Sequence, residues 1–92
     1  MARMQRLRAS IHGRVQGVGF RYSVISAAQE LGLTGFVENR ADGSVYVEAE
    51  GPPAMLDRME AFLRRGPRLA QVEELKSERL EATGEFDGFS WR

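Results

Sequence analysis

The chain of 92 residues has no cysteine, one histidine (His12), one lysine (Lys76) and one tryptophan (Trp91). Without cysteine there can be no disulfide, no thiolate metal site and no thiol nucleophile. A single histidine excludes a histidine-rich metal cluster. The longest uninterrupted apolar run is three residues, for example Val45, Tyr46 and Val47. That is far short of the roughly 20 needed to span a bilayer, and of the apolar stretch of a secretory signal. The chain therefore reads as cytoplasmic. Net charge is missing too: 13 basic residues meet 13 acidic ones, so no bulk field draws in nucleic acid or an anionic membrane.

The zero conceals an uneven distribution. Residues 1 to 21 carry Arg3, Arg6, Arg8, Arg14 and Arg21 with no acid, whereas residues 22 to 92 hold 8 bases against 13 acids. Spread along the exposed side of a strand, these arginines would help to steer an anion. At this length a single domain over residues 1 to 92 is expected, because two cores could not be filled. No repeat, low-complexity stretch or linker interrupts it.

From Gln5 to His12 apolar and polar residues alternate, with Leu7, Ala9 and Ile11 in one phase, which is the pattern of a half-buried strand. A segment with three glycines, Gly13, Gly17 and Gly19, follows and cannot be a regular element. Tyr22 to Leu31 then has Val24, Ala28 and Leu31 at helical spacing, with Gly32 as a left-handed stop. Two strands, 35–40 and 44–50, flank an Asp42-Gly43 hairpin signal. Pro52 and Pro53 open a second helix with an apolar stripe of Met55, Leu56, Met59, Phe62 and Leu63, ended by Gly66 and Pro67. A strand over Gln71–Ser77 and a short one over Phe86–Trp91 complete the chain. The order βαββαβ, with a possible extra C-terminal strand, is the split βαβ arrangement: an α+β, ferredoxin-like sandwich with two helices on one face of an antiparallel sheet. Fold alone does not settle function.

Two places carry candidate chemistry. In Val15, Gln16, Gly17, Val18, Gly19 and Phe20 the glycines allow successive backbone N–H groups to point into one hollow, which favours an anion. The segment opens onto a helix start, whose free N–H groups and dipole favour the same charge. Arg21 stands there with a planar fork of donors suited to two phosphate oxygens. The plainer reading is a tight strand-to-helix connection beside a solvated arginine. The glycine spacing is neither that of a Walker loop nor that of the dinucleotide fingerprint. Asn39 shares the phase of Val37, so a polar amide points where an apolar residue is expected. Its plainer reading is a cap on the turn toward Asp42.

At this point a family resemblance is specific. Val15-Gln16-Gly17-Val18-Gly19-Phe20-Arg21, preceded by Gly13 and Arg14, resembles the first acylphosphatase signature, and Gly35 to Val45 resembles the second. Gly66, Pro67, Ala70, Val72, Phe89 and Arg92 also fit, so the resemblance covers nearly the whole chain. It implies a metal-independent hydrolase of acyl phosphates that needs no cofactor. The phosphate would be held by the backbone of residues 15 to 20 and by Arg21, and the attacking water oriented by Asn39. Phe36, Glu38 and Trp91 depart from the residues common in that family at those places. The implied partner is a small-molecule acyl phosphate, with no nucleic acid and no membrane, and a monomer is expected. A further expectation is that the carboxylate of Arg92 pairs with Arg21.

Two other readings stand beside this one. An acylphosphatase-like module could serve a larger carbamoyl-transfer or maturation protein. An RNA binder could use Phe20, Tyr22 and the N-terminal arginines, although such modules need aromatics on exposed sheet strands. His12 as a general base competes with an exposed strand residue. The acids Glu73, Glu74, Glu78, Glu81, Glu85 and Asp87 read as a solvated face.

Overall fold

A computed structural model describes residues 3–92. The elements are β1 (Gln5–Arg14), α1 (Phe20–Leu31), β2 (Thr34–Asn39), β3 (Val45–Gly51), α2 (Pro53–Arg65), β4 (Gln71–Glu81) and β5 (Phe89–Trp91). They build one sheet in the order β4-β1-β3-β2-β5. β1 lies antiparallel to both β3 and β4, and β2 antiparallel to β3, as the ferredoxin-like order requires. β5 is a real strand but runs parallel to β2, so the sheet is mixed rather than wholly antiparallel.

The alternation in β1 has the expected consequence. Leu7, Ala9 and Ile11 are buried together with Val37, Val45, Val47 and Ala49 against Phe20, Val24 and Ala28 of α1 and Leu56, Met59 and Leu63 of α2. Burying each larger side chain contributes about 1.5–3 kcal/mol. The opposite phase, with Arg6, Arg8, Tyr46, Glu48 and Glu50, forms an open face without helices. Gly32 stops α1 in the left-handed conformation, its cap N–H donating to the carbonyls of Ala28 and Gln29. Among the described residues no helix is long and apolar enough to cross a membrane.

Several boundaries differ from the sequence expectation. β1 continues past His12 to Arg14 because a register shift between His12 and Gly13 turns the strand without ending it. Gly13 is essential to that shift: at φ +130° an added Cβ would sit 2.2 Å from the Gln71 carbonyl oxygen. α1 starts at Phe20, two residues before the apolar spacing shows it. β4 extends to Glu81, and β5 begins at Phe89. Phe86 is not in the strand; it packs on the open face against Phe36, with centroids 5.9 Å apart. The connection from β4 to β5 thus crosses the open face as a strap.

The strap is fastened at Glu50, which is only 4% exposed. This carboxylate accepts from Arg6 Nε at 2.7 Å, from the Thr83 N–H at 2.9 Å and from the Gly84 N–H at 2.9 Å. Burial alone would push its pKa up, but these hydrogen bonds hold it below the ordinary carboxylate range. Arg6 also pairs with Glu48 at 2.9 Å and with Glu85.

Candidate active site

The loop between β1 and α1 is tied down by its apolar members. Val15 and Phe20 are buried, Phe20 packing against Phe62, and Val18 packs against the core. Their side chains leave only backbone for a ligand. Gly17 and Gly19 are exposed between them at φ +75° and +79°, and nothing lies within 4 Å of where a Cβ would be. Glycine is demanded there by backbone conformation, not by crowding.

Gly19 is also the N-cap of α1, and it supplies no side-chain hydrogen bond. No acid occupies the first turn of the helix. The first helical bond runs from the Ser23 N–H to the Gly19 carbonyl at 3.0 Å, so the N–H groups of Phe20, Arg21 and Tyr22 have no acceptor within the helix. The positive end of α1 is thereby left facing a hollow.

That hollow, about 130 Å³, is lined by Val15, Gly17, Gly19, Phe20, Arg21, Tyr22, Asn39 and Trp91. One water in the liquid occupies about 30 Å³, so the space takes a small ligand. Six of the eight residues named from sequence as site residues line it. Gln16 does not: its Nε2 donates to the carbonyls of Arg40 at 2.8 Å and Ser44 at 2.9 Å, pinning the loop to the hairpin that follows Asn39. Val18 does not either, since it is turned toward the core.

Asn39 has the phase of Val37, as expected, but it is exposed. It ends β2 opposite Val45, where the glycine loop and the hollow take the place of the helix layer. The hairpin turn closes without it. Asp42 Oδ1 accepts from the Ser44 N–H at 2.9 Å and the Ser44 hydroxyl at 2.6 Å, and the Gly43 N–H donates to the Arg40 carbonyl. The Ser44 hydroxyl and N–H hold the Asp42 carboxyl below its ordinary range.

The expected pairing of Arg21 with the carboxylate of Arg92 is absent among the described residues, where Arg21 makes no ion pair at all. Its guanidinium carbon lies 5.1 Å from the centroid of Trp91 instead. Arg92 is directed elsewhere, its backbone N–H donating to the Val37 carbonyl and its guanidinium covering Phe36 at 3.7 Å. Trp91 and Tyr22 are lining residues that motif reasoning passed over. Their signal was available: Tyr22 follows Arg21 directly, and Trp91 was already a departure near the chain's end.

The charge foreseen for steering is matched at three of the N-terminal arginines, whereas the exposed Arg14 makes no ion pair among the described residues. Arg3 pairs with Glu81, Arg6 with Glu48, Glu50 and Glu85, and Arg8 with Glu78 and the Tyr46 hydroxyl. These acids, three of them read as a solvated face, match Arg3, Arg6 and Arg8 across the sheet. His12 is half-buried and does not line the hollow. A slightly larger hollow of about 170 Å³ on the open face touches Arg8, Ser10, Tyr46, Lys76 and Glu78, but its charges are of both signs. Phe36 and Tyr46, the strand aromatics of that face, are covered by Arg92 and Arg40 and, for Phe36, by Phe86, so neither ring is a free stacking platform. Among the described residues no group of three or more His, Asp or Glu is placed to hold a metal ion.

Comparison with known proteins agrees with the signature residues. The sequence model of the acylphosphatase family matches residues 7–91. The acylphosphatase of Methylococcus capsulatus is 46% identical over 87 residues, 95% of each chain. The crystal structure of acylphosphatase from Bacillus subtilis superposes with a TM-score of 0.92 at 34% identity, covering 96% of this chain and 98% of that one. Full-length HypF, in a phosphate- and nucleotide-bound crystal structure, aligns with a TM-score of 0.89 at 29% identity, covering all of this chain but 12% of that one. Signature residues, sheet order and relatives lead to one assignment: the chain belongs to the acylphosphatase family.

Proposed function

We propose that the hollow beside Arg21 holds the phosphate of the substrate, with the loop 15–20 and the first N–H groups of α1 on its oxygens and Asn39 orienting the attacking water. As an acylphosphatase the chain hydrolyses acyl phosphates, the mixed anhydrides of a carboxylic and a phosphoric acid. The observation that carries the site assignment is the convergence on one hollow of an uncapped helix N-terminus, an arginine without a carboxylate partner and an exposed asparagine. All of these groups come from one chain, so a monomer suffices.

The chemistry suits a site without a general acid. Water attacks phosphorus in line, its oxygen forms the new P–O bond, and the bond from phosphorus to the acyl oxygen breaks. The leaving carboxylate has a pKa of about 4 and departs as an anion, needing no proton. The proton of the water passes to a phosphate oxygen. What remains is positioning and stabilisation of charge on the equatorial oxygens, which is work for fixed N–H dipoles, Arg21 and Asn39. The 46% identity to an acylphosphatase, against 29% to HypF, supports the hydrolase reading.

The test compares benzoyl phosphate with phenyl phosphate, each with and without EDTA. Fast hydrolysis of the anhydride that survives chelation, with the ester slower by at least about 10² for want of an acid, is expected. Equal rates on the two, or loss with EDTA, would overturn the mechanism.

A further inference from the structure

The phosphate cradle accounts for the loop backbone, Arg21 and Asn39, and it leaves two lining residues without a task. Tyr22 is 72% exposed and Trp91 is 53% exposed, both on the same hollow. An acyl phosphate has a second half, and these rings are exposed side chains of the hollow that could meet it. Among the described residues no charged side chain other than Arg21 lines the hollow.

The tryptophan is held on a short but well-bonded element. In β5 it stands opposite Val37, with the Gly35 N–H donating to the Gly88 carbonyl and the Arg92 N–H to the Val37 carbonyl, each at 2.8 Å, on either side. Phe89, two residues earlier and in the same phase, packs against the core. Only the indole is left outward, with the Arg21 guanidinium 5.1 Å from its centroid. Tyr22 reaches the hollow from the first turn of α1, next to Arg21 itself.

We propose that Trp91, assisted by Tyr22, is a specificity-determining wall for the acyl group, selecting flat, apolar, aromatic acyl phosphates over short aliphatic ones. The inference rests on the cradle proposed above and adds the chemical class of the acyl half. Contact with the exposed rings is made equally before and during phosphoryl transfer. The preference therefore appears in KM more than in kcat. An aromatic ring packed against the indole is expected to strengthen binding about tenfold over a methyl group.

The test uses the shared anionic end to separate the two halves. Phenylphosphonate and methylphosphonate are compared as competitive inhibitors, and benzoyl and acetyl phosphate as substrates, in the wild type, Trp91→Ala and Trp91→Phe. In the wild type phenylphosphonate should bind about tenfold more tightly; Trp91→Ala should cut that ratio, and the benzoyl-to-acetyl ratio of kcat/KM, to about twofold; Trp91→Phe should restore most of both. If Trp91→Ala weakens both phosphonates equally, or changes neither, the wall does not exist; an equal loss would mean that the indole acts only by holding Arg21.

Because Trp91 is the one tryptophan, its fluorescence provides a readout needing neither a variant nor turnover. Saturable change at lower phenylphosphonate than methylphosphonate is expected, and equal midpoints would overturn the proposal. Failure of the wild type to hydrolyse either acyl phosphate would instead strike the cradle assignment, with the phosphonate ratio still measurable.

Discussion

Arginines stand near the start of β1 and beyond its far end, in the first turn of α1, and the two regions treat them differently. Near the start, Arg6 is 13% exposed and meets Glu48, Glu50 and Glu85, while Arg3 and Arg8 face Glu81 and Glu78. Beyond the far end, Arg21 meets no carboxylate among the described residues and stands beside a helix terminus with no cap and no acid. The same side chain holds the fold together where its charge is matched and is available to a ligand where it is not. The acids across the sheet thus separate Arg3, Arg6 and Arg8 from Arg14 and Arg21, which make no ion pair among the described residues, and of those two only Arg21 lines the hollow.

The sharpest way to break this contrast is to remove one arginine from each region. Arg21→Ala should lower kcat/KM for benzoyl phosphate by roughly 10²–10³, the cost of losing a donor to developing charge, with little change in thermal unfolding. Activity within tenfold of the wild type would place the site elsewhere. Arg6→Ala should do the reverse. Removing one partner of a buried ion pair costs about 3 kcal/mol, which at this size lowers Tm by about 15 °C. Calorimetry checks it; a fall of less than about 4 °C would show that Thr83 and Gly84 satisfy Glu50 unaided.

Gln16 tests the join between the regions that carry the loop and Asn39. Gln16→Ala removes two hydrogen bonds to the hairpin, so stability should fall by about 1 kcal/mol and, through misplacement of Asn39 relative to the loop, kcat by about tenfold. A loss of stability with kcat intact would make the pin purely structural.

The smallest expected effect is on acid stability. Glu50 has its folded-state pKa depressed, so its contribution to stability is complete above the ordinary carboxylate value of about 4.3 and is lost as pH falls below that, through the folded value. Glu85, held low by Arg6, acts in the same sense. Glu50→Gln should therefore flatten the decline of Tm below pH 4.5 relative to the wild type, whereas parallel curves would assign acid sensitivity to other carboxylates.

Much of the molecule was legible in the sequence because it depends on near neighbours. The alternation of Leu7, Ala9 and Ile11, the left-handed Gly32 and the Asp42-Gly43 turn each carry their own local cause, and so does the glycine loop feeding a helix. What could not be read depends on partners distant in the chain. The strap over residues 82–88 exists because Glu50 accepts the N–H groups of Thr83 and Gly84, and no period in the sequence announces that. The neutralisation of Arg3 and Arg6 by acids more than 40 residues away, and the grip of Gln16 on the hairpin, belong to the same class. Asn39 lies between: its phase was readable, but its place on the hollow came from the family resemblance, and its exposure followed only from where the helix layer stops.

The most direct test of the central contrast is a titration of the wild type with inorganic phosphate, followed by backbone amide chemical shifts. Saturable shifts concentrated at Gly17 to Tyr22, with the amides of Thr83 and Gly84 beside the Arg6–Glu50 pair unmoved, are the predicted result. Shifts clustered instead on Arg8, Ser10 and Lys76 of the open face, or a glycine loop that does not respond, would contradict it.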